Sequence, residues 1–451
     1  MEVDNSKLYN YIKSIKEETS NKQLSSLDFI LTKARENNCV INESDGNYYI
    51  KKSDQAKALF HLNIDNPVKS TFDFEMDDNS KYIKSTVDIH AINASIIIAY
   101  LLENLEDPFD IFISTNNSQL DFSDYAFIKK HLRTDNIINL NLRDGDCIVN
   151  EFSSLYLAVA KVPIKRFKPD YDYKTYRLSV DKLMGGFSGD NINKVRLNAI
   201  KFLTSIFRKM KSKVDLEMII MSGGDKYDNI PSNAHIDFII DKKFENELVS
   251  IFDIIKNEAI EKNLRYEPDM EIRCQVIDKN KFDPMTSESF NHLASFIELS
   301  HVGSFSVNSL DNQAISSSNM ASIRTIKNSI NLILVFRSLS QESMDQMLEK
   351  NRMASNISHS TILKKLFIPK RKNSDQYLTE VFVKTYKDLY SKDLNVIKTQ
   401  YSLYSSIVFK DLNVKIVSLG VKYKQDDNFF ASSISDINKT IYLLENVIEN
   451  L

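Results

Sequence analysis

Tryptophan is absent from this chain of 451 residues, which also holds only three cysteines, eight prolines and nine glycines. Cys39, Cys147 and Cys274 lie far apart and show no C-x-x-C spacing. That pattern argues against a disulfide framework or a cysteine-based zinc site, and it points to a reducing, cytoplasmic compartment. No apolar run approaches the about 18 residues of a membrane span, so no membrane insertion is expected. The N-terminal MEVDNSKLYNYIKSIKEE is acidic and amphipathic, unlike a signal peptide. A surplus of one charge is missing too: 58 Lys+Arg stand against 61 Asp+Glu, a net charge of −3. No general affinity for nucleic acid or anionic lipid follows from that balance. The basic runs at 208–213 and 364–372 read as solvated surface, the first on the polar side of a helix and its end, the second in a connecting loop. There is no internal repeat and no low-complexity segment.

What the chain does have is 42% hydrophobic residues in strongly periodic order, and enough length for two or three domains. Leu8, Ile12 and Ile15, then Leu24, Leu27, Ile30 and Leu31, recur at helical spacing. Short β-rich runs follow at 39–41, 48–50 and 58–64. The apolar body at 89–105 predicts a helix buried against a sheet, and strands at 109–113 and 137–142 flank a helix at 125–131. This alternation predicts an α/β sandwich with a largely parallel sheet. From 174 the pattern becomes α+β: strand 175–182, a long helix 191–210, strands 215–221 and 234–240, helix 245–262, strands 270–276, 304–308 and 331–337, helix 341–352. After 365 the first rhythm returns, with helix 377–390, strands 396–398 and 414–419, and helix 434–448. The predicted fold class is α/β: a discontinuous domain at 1–173 and 361–451, interrupted by an inserted α+β domain at 174–360.

The stretch 183–203, LMGGFSGDNINKVRLNAIKFL, resembles the Gly-Gly-His-Ser-Gly-Gly-x-Ile-His signature of zinc aminoacyl-histidine dipeptidases, in the aminoacylase/carboxypeptidase-like metallopeptidase family. Phe187 stands where that signature has its first His, and Asn193 where it has the second. MSGGDKYDNIPSNA is similar to the family's Gly-Gly-x-x-Arg-Asn-Ala-Ile-Pro segment with a shifted loop, placing Asn229 on the Asn and Asp228 on the Arg. LVFRSLS matches the strand-ending Val-Arg-Ser-Ser and keeps Arg337. The resemblance extends over nearly the whole chain and implies a zinc-peptidase-like α/β domain carrying an inserted lid domain.

It also implies a place for each metal ligand. In HLNIDNPV, Asn63 falls on the His and Asp65 on the Asp of the family's His-x-Asp pair; a second register puts His61 on the His and Asn63 on the Asp. VDIHAIN places Ile89 at the metal-bridging Asp, with Asp88 and His90 on either side. Asn116 and Asn117 align with the Glu-Glu pair, general base then ligand, and Asn141 with the next ligand Asp. TQYSLYS puts Thr399 and Leu403 on a His and a Glu, and the last ligand His falls at about Asp427.

Two divalent ions about 3.5 Å apart repel by roughly 19 kcal/mol at an effective dielectric of about 20. Anionic ligands offset that repulsion; Ile89 and Asn side chains do not. An Asn oxygen carries no charge and suits zinc poorly, and Asn116 takes no proton from water. Ordinary structural roles stand beside these assignments. Asp65 suits a loop cap, Asn116 and Asn117 are common turn composition, and His61 and His90 suit hydrogen-bonded positions near buried elements. The glycines at 185, 186 and 189 suit backbone turns. Asn229 and Arg337 keep groups able to grip a carboxylate, or Arg337 pairs within the lid.

The expectation is therefore a peptidase fold without peptidase chemistry: no catalytic residue, no metal and no cofactor, in a structural or interaction protein. Its partners would be other proteins or a second copy, with the inserted domain as the place for self-association. Two alternatives stay open. One is an active metallodipeptidase with its ligands in another register, cleaving dipeptides with a C-terminal His. The other is a sensor holding a peptide or amino acid in the old cleft.

Overall fold

The structure, a computed structural model, describes residues 5–19, 24–64, 71–77, 81–87, 89–115, 123–142, 147–278, 280–309, 313–372, 375–399, 404–425 and 429–451. The chain forms two compact units, Met1–Phe152 with Arg371–Leu451, and Ser153–Lys370. The inserted unit thus starts before residue 174 and ends after residue 360. The reason is hydrogen bonding: strand Ser154–Pro163 pairs along its whole length with Ser329–Ser338 on one side, and over residues 155–161 with Thr361–Ile368 on the other. Both flanks of the insertion are tied into its own sheet.

The discontinuous unit is built on a nine-stranded sheet. Its centre is parallel: Ala58–Asn63 lies between Phe109–Ser114 and Asn136–Leu142, and Lys415–Gly420 pairs with Asn136–Leu142. Antiparallel strands Asn47–Lys51 and Val40–Ser44 extend one side. Successive side chains of a strand face opposite sides, and the sequence Ala58-Leu59-Phe60-His61-Leu62 uses both. Phe60 and Leu62 join a core with helices Ser6–Thr19, Ser26–Glu36, Ile89–Asn104, Tyr377–Tyr390 and Ile434–Glu449. Leu59 joins a smaller cluster with Phe112, Ile128, Val408 and Phe409 on the other face. Helix Ile89–Asn104 is buried nearly throughout, which is why its sequence lacks a polar stripe. The carboxylate of Asp110, fully buried, is held by Arg133 Nε at 2.9 Å and by the Tyr49 hydroxyl at 2.7 Å.

The inserted unit has a second nine-stranded sheet, in the order Glu271–Val276, Tyr173–Asp181, Ala234–Asp241, Leu216–Gly223, Ala314–Ile326, Ser329–Ser338, Ser154–Pro163, Thr361–Ile368, with Gly303–Val307 also on Ala314–Ile326. Its pairings are antiparallel. Helices Ala199–Lys211, Glu245–Asn263, Ser287–Leu299 and Gln341–Ile357 cover one face through residues such as Phe207, Phe252, Phe290 and Met347.

Two expectations are corrected here. The helix expected at 191–210 begins only at Ala199, because Asn198 caps it, accepting from Ile200 N–H at 3.1 Å and Lys201 N–H at 3.4 Å. The basic run at 364–372, read as a loop, includes the edge strand Thr361–Ile368 with Lys364 and Lys365 exposed. Lysines on an edge strand discourage pairing with a foreign strand and weaken the apolar alternation that marks a strand in sequence. No helix among the described residues is long and apolar enough to cross a membrane.

Candidate functional site

In the discontinuous unit the polar residues gather at the carboxyl ends of the central parallel strands, where α/β sheets commonly place ligands. Asn63 ends one strand and Asn141 lies near the end of its neighbour; the Asn63 N–H donates to Asn141 Oδ1 at 3.1 Å. One residue pair further in, His61 is wholly buried, its ring stacked near Phe112 and edge-on to Phe409. His61 Nδ1 lies 3.1 Å from Asn139 Oδ1, and the Asn139 amide donates to Ser418 Oγ at 2.8 Å. An amide oxygen only accepts, so Nδ1 carries the proton of the neutral ring. The Ser114 hydroxyl stands between His61 Nε2 at 3.1 Å and Asn63 Oδ1 at 3.0 Å, with one proton for the pair.

Burial lowers the His61 pKa to about 3, against a smaller opposing contribution from Asn139. A histidine kept neutral in the fold and free to protonate in the unfolded chain makes stability fall with pH. The loss begins below the ordinary value of about 6.5 and ends near the folded value, on the order of 5 kcal/mol in all. Urea unfolding between pH 7.5 and 4 is expected to show this slope, and His61→Gln to flatten it. An unchanged slope in the variant refutes the assignment.

Ile89, the first residue of its helix, is fully buried in the hydrophobic core of this unit. Asp65, Asp88, Asn116, Asn117, Leu403 and Asp427 lie outside the described residues. The described positions do not fit a pair of zinc ions. Asn63 and Asn141 present neutral amides whose oxygens already accept hydrogen bonds, from the Ser114 hydroxyl and the Asn63 backbone N–H, and Ile89 presents a hydrocarbon. Among the described residues no group of three or more His, Cys, Asp or Glu is placed to hold a metal ion.

In the inserted unit the structure joins three of the expected site residues. Phe187 and Asn229 are direct partners in a short antiparallel pair, and the Arg337 guanidinium sits 5.6 Å from the Phe187 ring centre. Arg337 is buried and donates from Nη1 to Ser188 Oγ at 2.8 Å; that hydroxyl in turn donates to the Asp228 carbonyl at 2.6 Å. Asn319 donates to the Asn229 carbonyl at 2.7 Å and links on to Asn198. Gly185 and Gly186 have φ of +52° and +102°, and a Cβ on Gly186 would meet the Arg196 guanidinium at 2.6 Å. The paired glycines are thus a requirement of backbone shape.

Sequence reading missed the residue that holds this loop. Glu267, itself buried, accepts from Met184 N–H at 2.6 Å and Leu197 N–H at 2.8 Å, closing both ends of the 184–197 segment. It also takes the backbone donor that a helix through 197 would have used. Nothing near Glu267 in sequence marks it. Ser188, by contrast, was visible as the Ser of the Gly-Gly-x-Ser run.

With this geometry in place, the likeness to solved structures is informative. The chain matches the aminoacylhistidine dipeptidase of Vibrio alginolyticus with a TM-score of 0.67, covering 94% of this chain and 91% of that one at 16% identity. The fold is that of this dipeptidase. A tripeptidase of Staphylococcus aureus matches over 100% of this chain and 99% of its own, at a TM-score of 0.52 and 11% identity. The peptidase fold therefore spans both units, including the inserted one. No protein-family model and no curated protein matches the sequence.

Proposed function

We propose that this chain is a non-catalytic relative of the aminoacyl-histidine dipeptidases, a pseudoenzyme that serves as a structural or interaction protein in the cytoplasm. The observation that carries this reading is Ile89: the position that the resemblance assigns to a bridging carboxylate is filled by a side chain packed in the core. Asn63 and Asn141, bound to each other, support it from two further strands. Neither amide supplies charge to offset the repulsion between paired cations, nor accepts a proton from water. The cluster of Asn229 and Arg337, which keep the motif residues, with Phe187 in place of the signature His, maintains the inserted domain, and the chain's partner would be another protein or a second copy. Three cysteines far apart in the chain, Cys39, Cys147 and Cys274, agree with a reducing compartment.

The test is hydrolysis of dipeptides with a C-terminal His by the purified chain, with added zinc or manganese, read beside its size in native extract. The expected result is no turnover above buffer and migration in an assembly larger than the chain. Metal-dependent cleavage of such dipeptides overturns the reading.

A further inference from the structure

Two imidazoles outside these clusters meet at the surface of the inserted unit. His292 lies on helix Ser287–Leu299, half-buried, and His359 is exposed in the turn between helix Gln341–Ile357 and strand Thr361–Ile368. Their ring centres are 4.8 Å apart, with planes inclined at 61°. With Zn–N bonds of about 2.1 Å and a ring centre roughly 1.1 Å beyond each nitrogen, a tetrahedral ion sets two imidazole centres roughly 5.2 Å apart. The observed edge-to-face contact lies within a few tenths of an ångström of that separation, so small side-chain rotations admit a shared ion.

The backbone supplies a second, independent observation. The helix ends in a Schellman turn: Ser360 N–H donates to the Ser355 carbonyl at 3.0 Å, and His359 N–H to the Asn356 carbonyl at 3.3 Å. His359 occupies the left-handed position of that turn, with φ of +50°. Glycine is the usual residue there, with Asn next, because a Cβ is strained in this conformation. Histidine tolerates it better than most residues, so the turn carries an imidazole at some cost in strain. The turn is rigid: Ser355 Oγ donates to the Ser360 carbonyl and Ser358 Oγ to the Ala354 carbonyl, each at 2.7 Å. The backbones that carry the two imidazoles are thus fixed, one by a helix and the other by a hydrogen-bonded turn, so a bound ion orders the side chains alone.

We propose that His292 and His359 chelate one late first-row divalent ion, of the zinc, nickel or copper class that imidazole favours. The ion clips helix Ser287–Leu299 to the turn preceding strand Thr361–Ile368 and stabilises the inserted unit. No third His, Cys, Asp or Glu completes the group among the described residues, so water fills the other positions and binding is modest. This site is independent of the peptidase-like positions and stands whether or not the chain proves catalytic.

Isothermal titration of the full chain, stripped with EDTA, against ZnCl2 and NiCl2 tests it. One ion per chain is expected, with affinity weakened about tenfold or more in His292→Gln and in His359→Gly. The ion is expected to raise the melting temperature of the parent and of neither variant. In metal-free buffer His359→Gly melts no lower than the parent, because glycine relieves the left-handed strain, so lost binding there is not lost folding. Parent-like affinity in both variants overturns the proposal, as does absence of binding by the parent at millimolar ion.

Discussion

Gly420→Ala is expected to unfold the discontinuous unit at temperatures where the parent chain remains folded. Gly420 ends strand Lys415–Gly420, where the pairing with Asn136–Leu142 slips past a bulge. A Cβ at that position falls onto the Leu142 carbonyl oxygen, far inside van der Waals contact. Carbonyl and strand belong to the centre of the parallel sheet, so no flexible side chain gives way and the two strands must separate. Overpacking of a rigid core costs about 1–3 kcal/mol and a main-chain clash more, which lowers the melting temperature by roughly 10 °C for a unit of this size. Thermal unfolding followed by circular dichroism decides it; a variant melting within a degree of the parent refutes the close approach.

The second large effect belongs to Ile89→Asp, which restores the acid that the dipeptidase resemblance places there. Removing a buried isoleucine side chain costs about 2–5 kcal/mol, and burying a polar group without a partner adds about 1–3 kcal/mol. Without a metal the substitution is therefore expected to destabilise by on the order of 5 kcal/mol. Added zinc is expected to restore none of this, since Asn63 and Asn141 bring no compensating charge to the strand ends. Denaturant unfolding with and without zinc reads both parts. Recovery of the variant by zinc beyond the parent's own response to zinc means that an intact ligand set surrounds residue 89, and the pseudoenzyme reading fails.

The fold was legible in sequence wherever hydrophobic period carried the information. Ile89–Asn104 showed itself as a helix by length and as a buried one by its missing polar side. The change from an α/β to an α+β rhythm announced the inserted unit. Its edges were harder to read. Strand Ser154–Pro163 belongs to the second sheet because of its partners at 329–338 and 361–368, and a strand's own residues do not name its partners. Motif resemblance singled out the glycine-rich run at 185–189, Asn229 and Arg337 one by one, and it took the structure to bring Phe187, Asn229 and Arg337 together. His61 was read as a hydrogen-bonded position near buried elements, but its partners Asn139 and Ser114 were not legible, nor was the role of Glu267, because these contacts join residues far apart in the chain.

By itself the sequence determined composition, period and charge: a mixed α/β chain without a dominant charge, carrying segments that resemble dipeptidase motifs. These are properties of residues taken one at a time or at short spacing. Only the tertiary structure decided that Ile89 packs into the core, that Asn63 and Asn141 bond to each other, and that His292 meets His359 across a strained turn. Those facts depend on which segments share a sheet or a face, and side-chain burial and hydrogen bonding are settled there, by contacts the linear order does not contain.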